Sequence, residues 1–428
     1  MSFSVSILAT GSELLDGRVV DTNSNFVARE LSELGLKLKR VLLVDDDMPE
    51  LLSGLQQLSA VSDIVITSGG LGPTDDDLTR EMFARFFGVG VAEHPDARRH
   101  LEEFYAKRGR KVDSTNLKQA LLPIGSTMIP NAVGTAPGFM MTTKEGVTVC
   151  SLSGVPREFK SMYAASVAPL VRERSVGLPK LKRITFKTFG LPESLVGKLV
   201  SGLKLPAEIV VSYRAAFPEV HVVLKAPESF LALAESAERV RAAIEDSFIF
   251  SQDREQLFVE RVQSLLLEHK ATVATAESCT GGMLGELLTR TPGSSAVYRG
   301  GIVAYHNDIK EQALGVTREV LDTYGAVSAQ TVEAMASAVR NQYGATFGLS
   351  VSGVAGPDGG SQEKPVGTFY IGFASPEGVT SLRCLYLSER GNVRTYAAYV
   401  ALDCVRRTLE GIPLPETLPL LSRDVATA

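Results

Sequence analysis

The sequence predicts an α/β protein built as two α/β/α sandwich domains joined by a small α+β module. Two long stretches repeat the succession strand, glycine-bearing loop, helix, which is how a parallel sheet covered on both faces reads in sequence. Between them lies a short β–α–β–β–α stretch, too small for an α/β enzyme and patterned as a split α+β module. The 428 residues, at roughly 150 per domain, accommodate about three domains.

In the first stretch, residues 3–9 read as a strand ending in Thr10-Gly11-Ser12-Glu13. A helix follows over 25–34, where Phe26, Val27, Leu31 and Leu34 share a face and Gly35 is a natural stop. Residues 39–44 and 63–67 are the next strands, the second entering Ser68-Gly69-Gly70-Leu71-Gly72-Pro73-Thr74. Leu78, Met82, Phe83 and Phe86 then mark a helix, with Thr74-x-x-Asp77 shaped like a capping box at its start. The pattern breaks around 175–182, a short polar stretch holding Gly177 and Pro179.

The middle module reads as a strand at 184–189, a helix at 193–203, a hairpin of 209–213 with 221–226, and a helix at 231–244. The third stretch opens with a helix at 254–269, whose Phe258, Val262, Leu265 and Leu266 share a face. A strand at 271–275 leads into Ala276-Glu277-Ser278-Cys279-Thr280-Gly281-Gly282 and a helix at 283–288. Residues 346–352 form a strand ending in the glycine loop 353–360, and 368–374 pairs with 381–387 as a hairpin around Gly378. Pro413, Pro415 and Pro419 mark an irregular tail. The expected divisions are 1–170, 171–250, 251–414 and a tail at 415–428.

Composition narrows the function. Lysine plus arginine is 44 against 49 for aspartate plus glutamate, a net charge of −5, which argues against a protein that coats polyanions. Cys150, Cys279, Cys384 and Cys404 form no CxxC pair, so zinc ribbons and disulfide scaffolds are excluded and a reducing compartment fits. No apolar stretch approaches the ~18 residues of a spanning helix. The first residues carry no basic n-region, and a cytoplasmic location is expected. Residues 171–250 hold 12 lysines and arginines against 9 acids, a net of +3, but no GxxG loop between helices. A connector is therefore expected there rather than an RNA reader.

The loop Gly69 to Thr74 sits between a strand and a helix, where glycines let backbone N–H groups approach a phosphate and the helix dipole favours the charge. Asp75-Asp76-Asp77 lies beside it and Asp45-Asp46-Asp47 ends another strand. Strand ends lie along one edge of a parallel sheet, so these carboxylates are placed to converge with Glu13. Phosphates beside carboxylates call for a divalent cation, and oxygen ligands suit magnesium. Asp46, Asp47 and Asp75 are expected to be solvated helix caps.

Thr10-Gly11-Ser12-Glu13-Leu14-Leu15, Asp21-Thr22-Asn23 and Gly69-Gly70-Leu71-Gly72-Pro73-Thr74-x-Asp76-Asp77-x-Thr79 resemble the molybdopterin-binding-like domain of the CinA (competence/damage-inducible) family. Asn116-x-Lys118-Gln119, Asn131-x-x-Gly134-Thr135-Ala136-Pro137-Gly138 and Gly154-Val155-Pro156-Arg157-Glu158 match it as well. The family often carries proline at Ser153 and methionine at Phe159, and neither change removes a polar group. The resemblance implies a pyrophosphatase acting on ADP-ribose with a divalent metal, Mg2+ by the oxygen donors. It implies that Gly69, Gly70, Gly72 and Thr74, with Thr10, Gly11 and Glu13, hold the substrate. Asp45 and Asp77 become the metal or water-activating carboxylates, and Lys118 and Arg157 phosphate partners. Related domains bind molybdopterin without hydrolysing a diphosphate, and that is the rival outcome.

In the third stretch, Ser278 follows a strand and precedes a helix, where free backbone amides can form an oxyanion hole. Cys279 is the rival nucleophile, with an intrinsically stronger thiol. The plainer alternative is that residues 277–280 cap the helix. A serine nucleophile needs a base; His306 offers one, and Tyr305 with Lys310 another, since a nearby cation lowers a phenol's pKa. The local sequence leaves that choice open.

Ala276-Glu277-Ser278-Cys279-Thr280-Gly281-Gly282, Gly301-x-x-x-Tyr305-x-Asn307-x-x-Lys310 and Ser352-Gly353-x-Ala355-Gly356-Pro357-Asp358-Gly359-Gly360 resemble the nicotinamide-nucleotide amidase (PncC) domain, as does Lys364-Pro365-Val366-Gly367-Thr368. The resemblance implies deamidation of nicotinamide mononucleotide to nicotinate mononucleotide plus ammonia, with no cofactor in this domain. Ser278 becomes the nucleophile, Tyr305 the general base, Lys310 its electrostatic partner, and Ser352 a hydroxyl where many members carry threonine. His306 is often serine in relatives, which disfavours it. Gly281 and Gly282 allow close approach of the substrate, and its phosphate is expected at Gly356, Pro357, Gly359 and Gly360 with Arg390 and Arg394, whose alternative is a surface ion pair. In two-domain relatives a small KH-like domain joins the halves, and a homodimer is expected. The partners implied are small-molecule nucleotides, neither nucleic acid nor membrane. The rival functions are an accessory protein in competence or DNA damage acting through protein contacts, and a molybdopterin-binding module. The complete set Ser278, Tyr305 and Lys310 favours the enzyme, because a vestigial site loses members.

Overall fold

The computed structural model describes residues 3–177 and 181–415. The chain divides into two compact units, Met1–Leu181 and Lys182–Ala428. Pro179 and residues 416–428 of the expected tail lie outside the described residues.

In the first unit, six strands form a sheet in the order Leu38–Val44, Val5–Thr10, Ile64–Ser68, Thr148–Leu152, Gly138–Thr142, Thr127–Ile129. The first four are parallel, and the last two are joined on by antiparallel pairings. The strands Val5–Thr10 and Ile64–Ser68 are buried at every residue, as strands covered on both faces must be. Side-chain alternation assigns the faces. Ile64 and Ile66 pack with Val27, Leu31 and Phe159, whereas Val65 packs with Leu55, Met82 and Phe83 on the opposite face.

The second unit carries two sheets. The smaller has the order Val210–Ala216, Glu219–Pro227, Leu181–Phe189, Ile249–Ser251, and the helices Glu193–Ser201 and Leu233–Ile244 pack with it through Val196, Val200, Val240 and Ile244. The short strand Ile249–Ser251 is absent from the sequence-based expectation. The larger sheet runs Tyr298–Val303, Val273–Glu277, Phe347–Gly353, Thr368–Ser375, Gly378–Leu385, with the first three parallel. One face packs with Met335 and Val339 of the helix Ala329–Tyr343, the other with Tyr396, Ala397 and Val400 of the helix Arg390–Leu409.

Neither of those helices is anticipated from sequence, and the second shows why. Its polar residues Asp403, Arg406 and Arg407 are themselves buried. Arg406 Nε pairs with Asp403 Oδ1 at 2.7 Å and Arg407 Nε with Asp403 Oδ2 at 2.7 Å. With charges on the inside, no one-sided apolar stripe remains to be read. The α/β class itself is the one expected, and among the described residues no helix is long and apolar enough to cross a membrane.

Candidate active sites

In the first unit, Val44, Thr10, Ser68 and Leu152 end four parallel strands at one edge of the sheet. Open α/β sheets bind ligands outside these carboxyl ends, and here the loops wall a cavity of about 660 Å3. That volume suits a small organic ligand. Thr10, Gly11, Glu13, Gly69, Gly70, Gly72 and Asp77 line it; the expected Asp45, Thr74, Lys118 and Arg157 do not. Lys118 Nζ instead donates to Thr74 O at 3.1 Å and lies 3.4 Å from Asp75 Oδ1. Arg157 is exposed and makes no hydrogen bond or ion pair among the described residues.

Two expectations for the aspartates are corrected. Asp46 is no solvated cap: it is half-buried, lines the cavity and accepts a hydrogen bond from the Thr10 hydroxyl. Burial pushes its carboxyl above the usual range, an effect the Thr10 hydrogen bond opposes. Asp47 does cap a helix, accepting from Glu50 N–H at 3.4 Å. Asp77 forms no capping box. The helix Thr79–Phe87 starts after Leu78 without a side-chain cap, while Asp77 reaches back over the glycine loop. Its Oδ1 accepts from Gly72 N–H at 2.7 Å and its Oδ2 from Thr74 N–H at 2.8 Å and the Thr74 hydroxyl. The loop must be glycine where it passes the helix, because a Cβ on Gly70, at φ +65°, would sit 2.2 Å from Thr79 Oγ1.

The carboxylates in the cavity wall (Glu13, Asp21, Asp46, Asp76, Asp77, Glu158) are the hard oxygen donors that magnesium takes. Among the described residues no three of them gather into a cage. Magnesium commonly uses only one or two carboxylates beside substrate phosphates. The donor chemistry therefore fits the ion, while no cage for it is preformed.

In the second unit, Ser278 stands just past the end of Val273–Glu277, between two parallel neighbours. Its N–H donates to Val351 O at 2.9 Å, fixing the turn to the adjoining strand. The following helix Met283–Thr289 is capped by Glu277, whose carboxylate accepts from the N–H groups of Gly282, Leu284 and Gly285 at 2.9–3.0 Å. Capping is thus done by Glu277, which leaves the Ser278 hydroxyl free for other work. Among the described residues the N–H groups of Cys279 and Thr280 have no acceptor.

Lys310 Nζ lies 3.2 Å from Ser278 Oγ, and it also donates to Ala304 O at 2.9 Å and Tyr305 O at 3.3 Å. The lysine is 1% exposed, and burial lowers its pKa below the ordinary lysine value. Tyr305, expected as the base, is 59% exposed and makes no hydrogen bond to Ser278; its hydroxyl accepts from Arg390 Nη2 at 3.1 Å. His306 is the N-cap of Asn307–Leu314, its Nδ1 accepting from Asp308 N–H at 3.4 Å. Ser352 Oγ is spent on Ala326 O at 2.6 Å. Residue type does not reveal which of the two side chains turns toward Ser278: Lys310, inside the helix Asn307–Leu314, does, and Tyr305, before it, stays exposed.

Arg390 Nη1 donates to Gly356 O at 2.7 Å, so it ties the glycine loop to Tyr305. Arg394 donates to Cys279 O at 3.0 Å and Thr280 O at 2.7 Å. Neither arginine forms an ion pair among the described residues, so the surface ion pair considered for them is not found. Gly281 approaches Arg394, and Gly282 adopts φ +96° at the helix start. A Cβ on Gly356, at φ +85°, would sit 2.5 Å from Val366 Cγ1, and Pro357, Gly359 and Gly360 are exposed beyond it.

Cys279 is buried, and its thiol is pushed up to about 12 by that burial. It is a neutral thiol at pH 7, so iodoacetamide is expected to leave Cys279 unmodified in the folded protein and to label it after unfolding. Peptide mass spectrometry of the two samples reads this directly.

Residues 255–409 match the family described as the CinA C-terminal domain, and residues 6–173 that described as a probable molybdopterin binding domain. A CinA-like protein of Anaeromyxobacter sp. (strain K) is 40% identical over 411 residues, covering 95% of this chain and 99% of its own length. A CinA-like protein of Desulfosudis oleivorans is 40% identical over 413 residues, covering 94% and 99%. Among solved structures, the protein CinA with unknown function from Thermoplasma acidophilum is 33% identical with a TM-score of 0.36, covering 41% of this chain and 99% of that one.

Proposed function

Because this chain belongs to the CinA family, we propose that its second unit is a nicotinamide-nucleotide amidase, converting nicotinamide mononucleotide to nicotinate mononucleotide and ammonia. The observation that carries the reading is the buried contact of Lys310 Nζ with Ser278 Oγ at 3.2 Å. Two of the amine's hydrogens are held by Ala304 O and Tyr305 O. In the neutral amine the lone pair then faces the serine, as a general base requires. Ser278 Oγ attacks the carboxamide carbon while its proton passes to Lys310, and the carbonyl π pair moves onto oxygen. The N–H groups of Cys279 and Thr280 are the oxyanion donors. Collapse of the adduct breaks the C–N bond, and the nitrogen leaves as ammonia with the proton held by Lys310. Water then repeats the attack on the ester, Lys310 again taking and returning a proton, and the acid is released. Tyr305 is reassigned from base to a binding group that Arg390 orients, and Arg390 with Arg394 supplies charge for the substrate phosphate.

The first unit we read as a diphosphate site for ADP-ribose, supported by the glycine loop in the wall of the 660 Å3 cavity. Asp46 takes the place expected of Asp45 and would hold magnesium together with Asp76. The ion, when bound, supplies Lewis-acid stabilisation of phosphate charge, while Asp77 keeps the loop in shape.

Two assays on the purified full chain test these readings. Ammonia release from nicotinamide mononucleotide is expected without added metal. Cleavage of ADP-ribose to AMP and ribose 5-phosphate is expected with magnesium and is lost on chelation. Absence of ammonia release overturns the amidase; binding of ADP-ribose without cleavage leaves a binding module in the first unit.

A further inference from the structure

Arg80 is among the largest fully buried side chains among the described residues, at 1% exposure, yet it forms no ion pair there; Glu81 and Asp77 act on it only from beyond bonding distance. Two of its guanidinium nitrogens bond backbone, Nη2 donating to Leu71 O and Nη1 to Gly72 O at 3.1 Å, while the buried Nε has no partner among the described residues. The neighbouring Thr79 does the same for the preceding peptides, its hydroxyl donating to Gly69 O at 2.9 Å and its N–H to Gly70 O at 3.2 Å. Four successive carbonyls of the glycine loop are therefore drawn toward the start of one helix. On the donor side, Gly69 N–H goes to Leu152 O and Gly72 N–H to Asp77. Gly70 and Leu71, both in the cavity wall, keep N–H groups with no acceptor among the described residues.

A glycine loop recognises an anion only if its peptides are turned the right way. A carbonyl oxygen aimed at a phosphate repels it, whereas successive N–H groups make an anion-binding nest. Burying a guanidinium without a carboxylate partner is costly, and a neutral donor would satisfy a carbonyl at lower cost. What the charge adds is a positive potential under the loop, offset in part by the carboxylates of Glu81 and Asp77.

We propose that Arg80 is a positioning residue for the anionic ligand of this cavity: it turns the Leu71 and Gly72 carbonyls inward, leaves the Gly70 and Leu71 N–H groups to the phosphate oxygens, and places a positive charge beneath them. This rests on reading the cavity as a diphosphate site. Asp77 complements it by holding the N–H of Gly72 while Arg80 holds that residue's carbonyl.

The test is calorimetric titration of the full chain with inorganic pyrophosphate in magnesium buffer, at several salt concentrations, for wild type, R80Q and R80K. Circular dichroism melts establish that each variant is folded. R80Q is expected to bind at least about tenfold more weakly, with a flatter dependence on salt because the charge is gone. R80K keeps the charge but not the fork that spans two carbonyls; it is expected between the two in affinity, with the wild-type salt slope. Affinity of R80Q within twofold of wild type overturns the proposal. So does weakened binding with an unchanged salt slope and no recovery in R80K, which marks a merely structural role. Should R80Q not fold, R80K is read alone: unaltered affinity overturns the clamp, and a clear loss supports it. A wild-type protein that binds neither pyrophosphate nor ADP-ribose overturns the diphosphate reading, and the proposal with it.

Discussion

Replacing Ser278 with alanine is expected to lower ammonia release from nicotinamide mononucleotide by at least about a thousandfold, since losing a nucleophile removes several orders of magnitude of turnover. Cys279→Ala is expected to cost less than about tenfold under the same conditions. The contrast is sharp because the two residues are adjacent and chemistry alone favours the thiol. Placement decides otherwise. The Cys279 thiol is buried and pushed up to about 12, so almost none is thiolate at neutral pH. Ser278 is buried like Cys279, but its hydroxyl lies within 3.2 Å of an amine able to take its proton. Ser278→Ala removes one oxygen from a turn already fixed by backbone, through Ser278 N–H to Val351 O at 2.9 Å. The variant should therefore melt close to wild type, and a lost rate reports chemistry rather than folding. An active Ser278→Ala with a dead Cys279→Ala, both folded, would make this a cysteine amidase.

Much of the scaffold was legible because strand-end loops and buried strands leave direct marks in sequence. Ile64–Ser68 is uninterrupted Ile-Val-Ile-Thr-Ser and runs into glycines, and Val273–Glu277 runs into Ser278 in the same way. What the sequence withheld is finer than an element. Asp45 and Asp46 both follow the strand Leu38–Val44, but successive residues point to opposite sides, and it is Asp46 that lines the cavity. The same ambiguity separates Tyr305 from Lys310: both lie near Ser278 in the chain order of the sheet, yet only the lysine turns inward. Arg80 reads as an ordinary charged residue in the first turn of a helix. Nothing in its neighbours signals that it is buried against backbone carbonyls, because those carbonyls belong to a loop eight and nine residues earlier. Hydrogen bonds to backbone carry no side-chain signature, which is why such residues escape sequence reading.

Lys310 yields the second large effect and the one that discriminates mechanisms. Lys310→Met is expected to lower amidase turnover about as far as Ser278→Ala, because nucleophile and base act as a unit and do not contribute additively. Lys310→Arg should be equally inactive: a guanidinium keeps the positive charge but does not give up its proton in the accessible pH range. That variant separates a base from an electrostatic partner, since a partner's role needs only the charge. Tyr305→Phe gives the reciprocal test. It should weaken substrate binding through the Arg390 contact at 3.1 Å and leave most of the turnover at saturation. The pH dependence follows from the same burial. Lys310 titrates below the ordinary lysine value because it is buried, so kcat should rise with pH as the ammonium loses its proton, with a midpoint below that of a free lysine. The stability linkage has the matching sign. Between the lowered folded pKa and the unfolded one, the unfolded chain binds more protons, so wild type gains stability as pH rises through that window. Below it the cost of burying the ammonium is present in full. Lys310→Met lacks this contribution, and its stability relative to wild type should therefore decline as pH is raised from neutrality, as read by paired urea melts. A Lys310→Arg enzyme with near wild-type kcat would remove lysine as the base and return that role to Tyr305.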